Sequence, residues 1–174
     1  MSYEQEITET QERISFTQLR REKLLKILGS EEAVKKFLEE EAKKRMLTTD
    51  EMKEIAIEYI KKLREDPSRI HQTIEYRGKL PLDVILVDVP MNPKLEYNEQ
   101  TGSFRLTTFA QGEPILLWIQ SEDMAKKLSS LTGKMVIVAG KYKAIVREDV
   151  TIKSLNVRGF IDVDLILDEI GRSE

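Results

Sequence analysis

Cysteine is absent from the 174-residue chain, and histidine occurs once, at His71. Without thiols there are no disulfides, no thiolate zinc sites and no cysteine nucleophiles, which fits a reducing, cytoplasmic setting. A single imidazole leaves histidine-based metal centres and Ser-His-Asp triads without support. Carboxylates are abundant, yet none is spaced with a histidine, a metal motif or a nucleophile elbow. The expectation is a protein that is not an enzyme, with no catalytic residue, no metal and no cofactor. Apolar runs fall short of the ~18 residues a membrane span needs. The opening MSYEQEITETQERIS is charged and lacks the apolar core of a signal peptide. No membrane association is expected.

A large excess of either charge is also lacking. The formal net charge is −3, with 15 Lys/Arg against 16 Asp/Glu in residues 1–70 and 13 against 15 in residues 71–174. Neither half is basic, so any polyanion site has to be a local cluster rather than a broad surface. Charged residues make up 34%, rich in Lys and Glu and poor in Asn, Gln and Cys, a bias that leans towards a thermophilic source. Aromatics are scarce at 6%.

What is present divides near residue 70. Residues 1–70 read as a three-helix unit. Ser15 to Gln18 forms a capping-box pattern, Leu19, Leu24, Leu25 and Leu28 give an apolar stripe, and Gly29 stops the helix. Ser30 caps a second helix with Glu31 and Glu32 in its first turn and the stripe Val34, Phe37 and Leu38. Thr48 or Thr49 caps a third, with Met52, Ile55, Ile57, Tyr59, Ile60 and Leu63 apolar until Asp66-Pro67 ends it. A compact bundle or an αα-hairpin with a leading helix is expected, serving packing, oligomerisation or partner binding. Its third helix mixes Lys53, Lys61, Lys62 and Arg64 with glutamates, which gives little support to a DNA-reading helix. Residues 66–81 read as a connection.

Residues 71–174 hold five strand-like runs: 82–89, 103–110, 114–120, 134–146 and 150–166. A helix-like segment, 121–131, falls between the third and fourth, with Ser121 as its cap and Met124, Leu128 and Leu131 as its stripe. The fold class expected is α+β: the helical unit followed by a five-stranded OB-fold β-barrel with one helix between strands three and four. Thr132-Gly133-Lys134 is no P-loop, because no glycine precedes it at the required spacing and no Ser/Thr follows.

Alternation assigns faces to the strands. Phe104, Leu106 and Thr108 share one side of the second strand, and Arg105, Thr107 and Phe109 the other. Ile115, Leu117 and Ile119 point inward from the third, which places Trp118 at or near the surface. Trp118 and Phe109 can serve either as packing residues or as stacking platforms, whereas Tyr142 fits the core better. Lys141, Lys143, Arg147 and Lys153 line the fourth strand, its end and the fifth. They suit either a phosphate-tracking row or the protection of an exposed edge. The acidic-aliphatic run 162–170 reads as the end of strand five with a closing turn of helix, or as a docking segment.

The string ILLWIQSEDMAKKLSSLTGKMVIVAGKYK resembles the strand–helix–strand core of OB-folds of the replication protein A and tRNA-anticodon-binding type, with Gly133, Val136, Val138, Gly140 and Lys141 in the family's pattern. Helices followed by such a barrel also resemble archaeal replication protein A chains. The chain departs from the family in lacking a zinc-binding cysteine cluster and in carrying Ala110-Gln-Gly-Glu-Pro114 where an Asp/Gly-rich turn is usual. The resemblance implies binding of single-stranded DNA, or RNA as the lesser choice. Bases would lie on Trp118 and Phe109, and Arg105, Lys141, Lys143, Arg147 and Lys153 would hold the backbone; Thr107 joins the candidate site through the alternation that puts it on the face of Arg105 and Phe109. The rival expectation is an OB-fold interaction subunit of a replication, repair or RNA-processing complex, holding a protein partner through the helical half or the barrel edge, or a second copy through the helical half.

Overall fold

The structure is a computed structural model in which residues 18–77 and 81–173 are described. The expected cap at Ser15 lies outside them. Helix α1 runs over 18–28 and stops before Gly29, whose N–H donates to Leu25 O at 2.8 Å. Helix α2 (Glu31–Arg45) starts at Ser30, whose hydroxyl accepts from Ala33 N. Acids fill its first turn and Lys43, Lys44 and Arg45 its last, matching the helix dipole at both ends. Helix α3 (Thr49–Glu65) carries a full capping box between Thr48 and Glu51 and ends at Asp66, ahead of Pro67.

The remainder forms β1 (His71–Ile74), β2 (Leu82–Asp88), β3 (Leu95–Asn98), β4 (Ser103–Ala110), β5 (Glu113–Ile119), helix α4 (Glu122–Ser129), β6 (Met135–Arg147), β7 (Val150–Asp162) and helix α5 (Val163–Ser173). The chain is thus α+β, with five helices and one seven-stranded sheet among the described residues. Strand order is β1-β2-β6-β7-β5-β4-β3, and β2 also meets β4 through the pair Asp88↔Phe109. The pairings β2-β6-β7-β5-β4 therefore run round a ring, antiparallel throughout except for β5 with β7.

All five expected strands are present, while β1 and β3 are additional. Each has four residues, too few for alternation to stand out, and β3 (LEYN) buries none of them. The run expected over 150–166 ends as a strand at Asp162. Asp162 Oδ1 accepts from Asp164 N at 3.0 Å as α5 begins. The helical spacing of Val163, Ile166 and Ile170, all packed in one cluster, is the signal for this helix.

Two apolar clusters explain the alternation. Ile85, Val87, Leu106, Ile115, Leu117, Ile119, Val136, Val138 and Leu155 fill the inside of the ring, joined by Ala125 and Leu128 of α4. On the outside, Met52, Ile55, Ala56 and Tyr59 of α3 and Ile166 of α5 cover Ile74, Leu82, Val84, Ile137, Ala139 and Ile161. Strand β2 is buried on both faces, which is why its sequence is a nearly unbroken aliphatic run. Helix α3, the third member of the expected helical unit, packs on the sheet, so this second cluster spans the boundary expected near residue 70. Phe37, expected in the α2 stripe, is 39% exposed, whereas Val34 and Ala42 are buried.

Tyr59 ties α3 to the sheet. Its hydroxyl donates to Ile70 O at 2.5 Å and accepts from Leu86 N at 3.1 Å, while its own carbonyl accepts from Gln72 Nε2. Burial pushes the phenol pKa up to about 12, against the partial offset of the Leu86 N–H. Tyr59→Phe leaves two backbone groups without their partner and is expected to cost about 1–3 kcal/mol in urea unfolding. The folded state favours the neutral phenol, so its contribution is complete below pH ~10 and is lost as pH rises from ~10 towards ~12. The native protein should lose on the order of 2–3 kcal/mol more across that window than the phenylalanine variant. Equal alkaline slopes in the two proteins would contradict this role for Tyr59.

Candidate functional site

The outer surface of the sheet has two parts. Helices α3 and α5 cover β2 and the adjoining portions of β6 and β7. The outward side chains of β4, β5 and the remaining lengths of β6 and β7 lie outside both clusters. On β4, Leu106 and Thr108 are buried, and Thr108 Oγ1 donates inward to Ile115 O; Arg105, Thr107 and Phe109 are half-buried on the outer side. On β5, Ile115, Leu117 and Ile119 are buried, and Leu116 and Trp118 face out. The faces follow the alternation of the sequence.

Register brings these side chains together. Arg105 is opposite Trp118, Trp118 opposite Asn156, and Asn156 opposite Lys141, one row across β4, β5, β7 and β6. At ~4.8 Å per strand the row is about 14 Å long. A second row holds Thr107, Leu116, Ser154 and Lys143. The Arg105 guanidinium carbon lies 5.9 Å from the centroid of the Trp118 ring, a cation–π contact, and the same guanidinium pairs with Glu96 of β3. Asn156 and Lys141 are exposed. One aromatic surface is thereby flanked by a cation on each side and an amide in between.

The other expected residues take different places. Phe109 sits where β4 meets β2, opposite Asp88 and Pro114. Arg147 has the same parity as Lys141 and Lys143 but lies at the far end of β6, with its Nε buried and donating to no acceptor among the described residues. Lys153 does not join the strip. It is in register with the inward Ile115 and bonds Glu113 at 2.5 Å. That hydrogen bond holds the Lys153 pKa above, and the Glu113 pKa below, its ordinary value. Tyr142 packs against the inner cluster, with its ring 4.4 Å from that of His71. Asn156 and Ser154 were not anticipated; burial of Leu155 and Val157 on either side of Asn156 is the signal that marks the outward positions.

No group of three or more His, Asp or Glu side chains among the described residues is placed to hold a metal ion. No helix among them is long and apolar enough to cross a membrane.

The chain matches no protein-family model, and no curated protein matches it. Among solved structures it is similar to a small single-stranded DNA-binding protein from Streptomyces coelicolor, at 16% identity and a TM-score of 0.34, over 47% of this chain and 92% of that one.

Proposed function

We propose that the chain is a non-catalytic OB-fold protein of replication or repair type, whose β4–β5–β7 face binds single-stranded nucleic acid, DNA in preference to RNA. Counted in chain order, the strands of the ring are β2, β4, β5, β6 and β7, with α4 between the third and fourth, in keeping with an OB-fold. Strands two and three of that fold bear the oligonucleotide surface, and here they are β4 and β5. The observation that carries the reading is the row Arg105–Trp118–Asn156–Lys141. A base stacks on the indole, the cations on either side follow the phosphates, and the Asn156 amide can both donate to and accept from a base edge.

Titration with single-stranded DNA and RNA oligonucleotides at two salt concentrations tests this. Affinity should fall as salt rises, with log K dropping by about 0.7 per phosphate contact for each unit of log salt. No binding of either polymer at low salt overturns the proposal. The rival reading, an OB-fold interaction subunit of a replication, repair or RNA-processing complex, draws on Leu165 and Leu167 of α5, which are 57% and 47% exposed among acids. It would be selected by a stable co-purifying protein together with no oligonucleotide affinity.

A further inference from the structure

A second cationic feature lies at the end of this face. Gln120 follows Trp118 by two residues in the same alternation, and the β3–β4 turn with Thr101 and Gly102 precedes Arg105 on β4. Helices α1 and α2 close over this end and leave a cavity of about 280 Å³ lined by Arg20, Arg21, Arg45, Glu41, Gly102 and Gln120, among others. Three guanidiniums against one carboxylate make the lining positive in a chain whose net charge is negative.

The donors in this cavity exceed their acceptors. Glu41 accepts from Arg20 at 2.8 Å and from Arg45 at 3.0 Å, and Glu31 accepts from Arg21 at 3.0 Å. Each guanidinium has five N–H groups in a fixed fork, so among the described residues most find no acceptor. Arg21 lies against Gly102, where a Cβ would stand 3.4 Å from its Nε. That Nε is buried and donates to no acceptor among the described residues. A buried, charged donor without an acceptor is unfavourable, and an oxyanion beside the Arg21 guanidinium would offset its charge.

We infer that this cavity is a phosphate-binding subsite, occupied by a phosphate of the strand that stacks on Trp118. The strand as the source rests on the function proposed above; the phosphate chemistry does not. Glu41 then has a positioning role: by bridging Arg20 and Arg45 it holds both guanidiniums at the cavity before the anion arrives.

The test compares the full-length protein with Arg45→Gln, and with Lys61→Gln as an equal charge change on α3, away from the cavity. With an oligonucleotide, Arg45→Gln should weaken binding roughly fivefold and reduce the salt slope by about 0.7, while Lys61→Gln changes neither. In parallel, thermal unfolding is followed in inorganic phosphate against chloride at matched ionic strength. A reduced slope assigns the subsite to a strand phosphate. An unchanged slope with a phosphate-dependent rise in Tm in the native protein, lost in Arg45→Gln, assigns it to free phosphate. The absence of both effects overturns the subsite, even where the native protein binds oligonucleotide normally. A native protein that binds no oligonucleotide removes the strand as the source, leaving the phosphate melt to decide the subsite.

Discussion

Trp118→Ala is expected to weaken binding of single-stranded DNA by roughly 5- to 150-fold, the equivalent of ~1–3 kcal/mol for one stacked base, while the protein stays folded. The separation follows from the strand's two faces. Leu117 and Ile119, on either side of Trp118, are 0% and 1% exposed and belong to the inner core, whereas the indole faces out. Removing it takes away the platform between Arg105 and Asn156 and leaves the ring filled. Anisotropy of a labelled oligonucleotide reads the loss, and circular dichroism checks the fold. Trp118→Phe should recover much of the affinity, because a smaller ring still offers a π-face. Leu117→Ala should do the reverse, costing about 2–5 kcal/mol of stability through the cavity it opens. An affinity unchanged by Trp118→Ala would remove the indole from the site.

Gly140→Ala is expected to cost about 3 kcal/mol or more of stability and to weaken binding as well. A Cβ on Gly140 would meet Asn156 O at 1.9 Å and the Asn156 carbonyl carbon at 2.8 Å. Both are backbone atoms of the paired strand, so no side-chain rotation relieves the clash. Gly140 lies at the register shift where Ala139 pairs with Gly159 and Gly140 with Val157, leaving Arg158 between them. The glycine thus lets β6 and β7 close up directly beneath the Asn156–Lys141 end of the Arg105–Trp118–Asn156–Lys141 row. Gly112→Ala is the control. Among the described residues no atom beyond its chain neighbours lies within 4 Å of its added Cβ, so only its positive φ of 78° opposes the change, at ~1–2 kcal/mol. Urea unfolding of the two variants should separate them clearly; equal midpoints would contradict the close approach at Gly140.

Much of this was legible in the sequence, for identifiable reasons. Strands β4 and β5 alternate cleanly, so the outward positions of Arg105, Thr107 and Trp118 could be read from residue order alone. Caps at Ser30, Thr48 and Ser121 are local chemistry and appear where expected. What could not be read is whatever depends on pairing between strands. Lys153 looks like a member of the cationic row until its register with Ile115 turns it to the other side of β7. Asn156 joins the row for the same reason, since only the parallel pairing of β5 with β7 puts it beside Trp118. The short strands β1 and β3 carry too few residues to show a period. Arg20, Arg21 and Arg45 carry no signal of their own in the sequence, because nothing in residue order tells that α1 and α2 close over the β3–β4 turn.

The account rests on Trp118 being where the strand binds, and the chain offers a direct probe, since it contains one tryptophan. Its fluorescence, followed while a single-stranded oligonucleotide is added at low salt, should quench to a plateau and recover as salt is raised. Emission that stays constant with the oligonucleotide in excess would contradict the account.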